Sequence, residues 1–155
     1  MRSTLMIAGI LVCSLAAPAA GHALPSKQSP SDKEQARASF EEGLRHQEAK
    51  QFQEAIDAYQ ASLRDDPNQA EALSNIGFCY KSLKRYQKAI SYYKDAIRMK
   101  PDLAEAHEYV GEAYLEMGKP KLALREYDIL RKLDPEDAEE LKQKIDAAQA
   151  AAGPQ

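Results

Sequence analysis

The sequence predicts an all-α solenoid of three helix-turn-helix units closed by a C-terminal capping helix, and three observations carry that prediction. Gly43, Gly77 and Gly111 lie 34 residues apart, and Ala55, Ala89 and Ala123, Tyr59, Tyr93 and Tyr127, and Pro67, Pro101 and Pro135 keep the same spacing. Tyr80 and Tyr114 add a partial fifth column. A fixed period of this length marks a stack of supersecondary units. Within each half-period apolar residues recur at steps of three and four, as in Leu73, Ile76, Tyr80 and then Ala89, Ile90, Tyr93, Ala96, Ile97, so each unit is two amphipathic helices. The composition agrees: 29% of residues are charged, 7 glycines and 8 prolines are spread over 155 positions, and Trp is absent. Such a palette suits helices and gives strands little support.

At these columns the chain resembles the tetratricopeptide repeat family, whose motif has a bulky residue at position 4, Leu at 7, Gly at 8, Tyr at 11, Ala at 20, an aromatic at 24, Ala at 27 and Pro at 32. Three repeats follow, at 36–69, 70–103 and 104–137, within a repeat region of 32–137. The second fits best, with Leu73, Ile76, Gly77, Tyr80, Ala89, Tyr93, Ala96 and Pro101 on the motif positions. The first places Ser39, Glu42 and His46 where large residues are expected; the third has His107 at position 4 and Leu130 at position 27. The resemblance implies a right-handed α-solenoid.

The repeat-packing positions are Gly43, Ala55, Tyr59, Gly77, Tyr80, Ala89, Tyr93, Gly111, Tyr114, Ala123 and Tyr127. Gly and Ala let the two helices of a repeat approach, and the tyrosine at position 24 is expected to fill space toward the next repeat. Ser31 to Glu34 reads as a capping box opening the first helix, while Asp66-Pro67 and Asp134-Pro135 read as an N-cap followed by proline at the first helical position. Ala138, Leu141, Ile145 and Ala148 form one apolar stripe, the mark of a capping helix over 138–150, with a loose tail at 151–155.

Ahead of the repeats, Arg2, the apolar run from Leu5 to Leu15 and the small residues from Ala16 to Ala23 read as a secretory signal peptide over 1–23, followed by a flexible leader at 24–31. The apolar run is shorter than the roughly 20 residues of a membrane span, which favours cleavage after Ala19 or Ala23 over an uncleaved anchor. Cleavage would remove Cys13 and leave Cys79 alone, so the mature chain cannot form an internal disulfide. With no N-glycosylation sequon present, a bacterial periplasm is the expected location, with secretion or a membrane anchor as alternatives.

The chain offers little for chemistry. Motifs for zinc, thiol redox, acyl transfer and nucleotide binding are missing, and His46 and His107 stand far apart on packing positions. No enzyme activity, metal or cofactor is expected. With 21 basic and 24 acidic residues the charge of -3 gives no footprint for nucleic acid. What remains is surface. The resemblance implies a concave groove lined by the first helix of each repeat, here with Phe40 and Leu44, then Asn75, Phe78 and Lys81, then Glu105, Glu108, Tyr109, Glu112 and Leu115. Such a groove, apolar along its floor and acidic in its third repeat, suits a protein or peptide with basic and apolar residues. Chaperone-binding relatives grip a C-terminal carboxylate with a clamp of Lys, Asn, Asn, Lys and Arg. Here only Asn75 corresponds, and Phe40, Leu44, Glu105 and Tyr109 occupy the other clamp positions, so that partner class is not expected. The expected role is an exported adaptor in an envelope assembly; a self-associating scaffold is the alternative.

Overall fold

In the computed structural model, which describes residues 29–152, the chain folds into seven α-helices, with no strand among the described residues. These are α1 (Pro30–Glu48), α2 (Phe52–Asp65), α3 (Ala70–Ser82), α4 (Tyr86–Met99), α5 (Ala104–Glu116), α6 (Pro120–Leu133) and α7 (Pro135–Ala152). Helices pair as α1 with α2, α3 with α4 and α5 with α6; each pair then packs on the next, and α7 packs on both α5 and α6. The result is an all-α stack of helical repeats. The expected signal peptide and its cleavage site lie outside the described residues.

Local chemistry sets the helix ends. Ser29, rather than Ser31, caps α1: its Oγ accepts from the Asp32 amide at 3.2 Å and its own amide donates to Asp32 Oδ2 at 2.8 Å. Both serines have an acid three residues on, but capping at Ser29 puts Pro30 at the first helical position, where its missing N–H costs nothing. Residues 30 and 31, expected in the leader, are therefore helical. The turns inside the three pairs share one device. Lys50, Lys84 and Gly118 have φ of 58°, 59° and 67°. In each turn the amide of the residue after them reaches back to a carbonyl, as Arg85 does to Tyr80 and Lys119 to Tyr114, both at 2.8 Å. This is the Schellman arrangement.

Two proline signals resolve differently. Asp134 caps α7, accepting the amides of Glu136 at 3.0 Å and Asp137 at 3.2 Å, so Pro135 opens that helix. The capping helix thus begins three residues before the expected 138 and continues through 151 and 152. Asp66-Pro67 instead forms a turn, with the Asn68 amide donating to Asp66 Oδ1 at 3.1 Å, and α3 starts only at Ala70. α5 likewise starts three residues past Pro101, at Ala104.

Two apolar clusters hold the stack. Ala55, Ile56, Tyr59, Ile76, Cys79, Tyr80, Ala89, Ile90, Tyr93, Ala106, Val110 and Ala113 form the larger. Ala123 and Leu130 of α6 join Ala138, Leu141 and Ile145 of α7 in the smaller, and Tyr114 packs against both. The tyrosine at position 24 does more than face the next repeat. A methyl added at Gly43 would stand 2.5 Å from the Tyr59 ring, and one at Gly77 would stand 2.8 Å from the Tyr93 ring. Each tyrosine thus lies on the glycine of its own repeat. In the third repeat that seat is taken by Leu141 of α7, 2.6 Å from a methyl at Gly111, and Tyr127 is only half-buried.

Candidate interaction groove

The helices α1, α3 and α5 run along one side of the stack, and their free faces carry the candidate residues. Phe78 of α3 and Tyr109 of α5 meet with ring centroids 5.9 Å apart, and Phe52 closes on Phe78 edge-on at 6.4 Å. Tyr93 supports Tyr109 from below at 5.5 Å. Tilted and edge-on contacts of this kind are favoured arrangements of aromatic pairs. Phe40 is turned onto Tyr59 at 5.4 Å, while Leu44 stays 37% exposed. The structure therefore ties Phe78 to Tyr109 but leaves Phe40 and Leu44 as a separate patch on α1.

A partly buried polar cluster lies under the junction of the first two repeats. The Tyr59 hydroxyl donates to Gln47 Oε1 at 3.0 Å and also bonds the Asn75 side chain, so Asn75 serves the fold from the groove floor. The Cys79 thiol faces Gln47 Oε1 at 3.6 Å, and burial pushes its pKa up to about 12. A thiol held protonated is a poor nucleophile. The equivalent Tyr93 hydroxyl is buried without a hydrogen-bond partner among the described residues, and burial drives its ionisation far up.

The acidic third repeat is largely answered from within the molecule. Lys81 pairs with Glu112, and its ammonium lies 4.3 Å from the centroid of the Tyr109 ring, a cation–π contact. Lys144, from the capping helix, bonds Glu112 at 2.5 Å and Glu108 at 3.3 Å. Burial alone would raise the Glu112 carboxyl, but its bonds to Lys144 and Lys81 outweigh that and hold it below the usual glutamate range. Glu108 is raised, first by burial and then by Glu112 beside it. Glu105 remains exposed next to Tyr109, with which it shares a hydrogen bond. Beyond Lys81 the groove opens into a cleft of about 850 Å³ between α7 and the α3–α4 turn, lined by Lys84, Tyr86, Leu115, Lys144 and Ala148 among others.

Sequence reasoning missed Lys144, because its partners are 32 and 36 residues away and no periodic pattern announces them. Two histidines have structural partners: His46 Nδ1 stands 2.8 Å from Gln51, and buried His107 stands 2.9 Å from Glu126. Among the described residues no cluster could hold a metal, and no helix is long and apolar enough to cross a membrane.

The fold defines a class, the all-α scaffold of stacked helical repeats. Two sequence models described as tetratricopeptide repeat match residues 46–102 and 81–145, so the chain is built of tetratricopeptide repeats. Similar solved structures include the TPR domain of Arabidopsis OM64, at 18% identity and TM-score 0.71 over 75% of this chain and 98% of that one. The first TPR of Spaghetti (RPAP3), bound to the HSP90 peptide SRMEEVD, is 25% identical with TM-score 0.70 over 76% of this chain and 95% of that one. The TPR2B domain of yeast Sti1, in complex with pHsp70, is 23% identical with TM-score 0.70 over 76% and 98%. No curated protein matches the chain.

Proposed function

We propose that this protein is a non-enzymatic adaptor that binds a protein or peptide segment along the groove formed by α1, α3 and α5. The carrying observation is the packed, half-exposed pair Phe78 and Tyr109, with Lys81 laid over both rings. Aromatic anchors inside a polar rim are what interfaces use. Structural neighbours whose names record bound partners support a peptide-binding role, but the partner proposed here differs. Phe40, Leu44, Glu105 and Tyr109 offer no cation at four of the five clamp positions, so a segment ending in clustered carboxylates would be repelled. A segment with apolar side chains for Leu44, Phe78 and Leu115, and a single cation for Glu105, fits better. Because Lys144 and Lys81 already neutralise Glu108 and Glu112, the need for partner cations is smaller than the acid count implies. The signal-like N-terminus supports action outside the cytoplasm, in an envelope assembly. The polar outer face of α7, with Glu139, Glu140 and Gln143 exposed, gives end-to-end self-association little support.

The test places a photocrosslinking residue at Leu44 and, as a control, at Ile129 of α6, 41% exposed and outside the groove. Capture of one protein from position 44 and not from 129, lost when Phe78→Ser is added, is expected. Equal capture at both positions would refute the groove. The mass of the protein from the producing cell checks export: loss of about the first 19 to 23 residues is expected.

A further inference from the structure

The overall charge of -3 conceals a local excess of the opposite sign. The α3–α4 and α5–α6 turns lie side by side on one edge of the stack, joined by the Tyr86 hydroxyl donating to Glu116 at 3.0 Å. The first turn carries Lys84, Arg85 and Lys88, the second Lys119 and Lys121; from 82 to 88 there is no acid, and from 116 to 121 only Glu116. All five cations are exposed. Lys88 lies over the Tyr80 ring at 5.4 Å, and the other four make no ion pair among the described residues. Folding does not ask for this arrangement. α1, α2, α3, α5 and α7 each carry an acid in the first turn, as the helix dipole favours, whereas α4 and α6 carry none and have Lys88 and Lys121 there instead. Between the turns lies a hollow of about 320 Å³ lined by Lys84, Arg85, Tyr86, Gln87, Lys88 and Met117.

We infer that this edge docks an acidic segment of a protein partner, with one apolar side chain seated against Tyr86 and Met117 and flanking carboxylates on Arg85, Lys119 and Lys121. The charge complementarity is local and exposed, and so sensitive to salt. A concave apolar floor ringed by cations suits a peptide side chain better than the flat plane of an anionic bilayer. Two turns bordered by acid-bearing α5 and α7 make too short a stripe for a nucleic-acid backbone. The chemistry is opposite in sign to that proposed for the groove, so the two surfaces succeed or fail separately.

The experiment uses the full chain and two fluorescein-labelled peptides, one alternating glutamate with leucine and one alternating lysine with leucine, followed by anisotropy at about 50 and 300 mM salt. A triple variant, Arg85→Glu, Lys119→Glu and Lys121→Glu, removes groups without ion pairs, and its melting temperature checks that the fold survives. The expected result is that the acidic peptide binds the parent, weakens at least tenfold in the variant, and weakens with salt, while binding of the basic peptide is not reduced by the charge reversal. Absence of binding by the acidic peptide, or equal binding to parent and variant, would overturn the proposal. So would binding confined to vesicles containing phosphatidylserine, which would make the edge a lipid contact.

Discussion

The second and third repeats solve one packing problem in two ways. In the second, Gly77 receives the ring of Tyr93, which comes from the repeat's own second helix. In the third, the equivalent Gly111 receives Leu141, from a helix outside the repeat, and Tyr127 stays half-buried with Arg131 5.8 Å from its ring centroid. The same glycine column therefore serves self-contained packing in one place and docking of the cap in the other. A repeat that cannot fill its own seat depends on its neighbour, so α5, α6 and α7 form one cooperative unit at the C-terminal end of the stack.

This contrast can be broken at several points. Tyr93→Ala removes a fully buried ring from the larger cluster and should cost about 3 to 5 kcal/mol, lowering protection from hydrogen exchange throughout α2 to α5. Leu141→Ala should cost about 2 to 5 kcal/mol, with the loss of protection confined to α5, α6 and α7. If both variants lost protection uniformly, the division into two units would be wrong. Gly77→Ala should destabilise by about 1 to 2 kcal/mol net, because a rigid ring 2.8 Å from the new methyl outweighs the better helix propensity of alanine; thermal unfolding reads this directly.

Lys144→Met tests the clasp between cap and groove. Lys144 is 42% exposed, so screening limits the loss at neutral pH to about 0.5 kcal/mol. The pH dependence has a definite sign. Glu112 is held below its ordinary value of 4.5, so its contribution is complete above that value and fades as the pH falls through the lowered one. Glu108, raised by burial, works the other way and favours the fold when protonated. Denaturant midpoints of parent and variant should therefore differ at pH 7 and converge only as the pH falls through the lowered Glu112 value, where the clasp's carboxylates become protonated. A gap that persisted in acid would mean that Lys144 acts through its aliphatic stem instead.

The sequence made the period, the helix pairing and the glycine and alanine columns legible, because these follow from local spacing. Ser29 was masked by a second serine two residues later with an equally good acid partner; only the placement of Pro30 separates them. The start of α3 was misread because Asp-Pro serves turns as readily as helix entries. Leu141 was visible as part of the stripe on the capping helix, but its seat on Gly111 was not. The Lys144 clasp was hidden for the same reason: both contacts join residues about one repeat apart, and spacing alone does not say which neighbour fills which space.

The most direct test is a double-mutant cycle between Gly111→Ala and Leu141→Ala, read by chemical denaturation. With Leu141 present, the methyl at 111 meets its Cδ2 at 2.6 Å, and the gain in helix propensity is offset by crowding. With Leu141→Ala in place, the methyl has room, and Gly111→Ala should stabilise by about 1 kcal/mol. The same effect in both backgrounds would contradict the claim that the cap fills the third repeat's glycine seat.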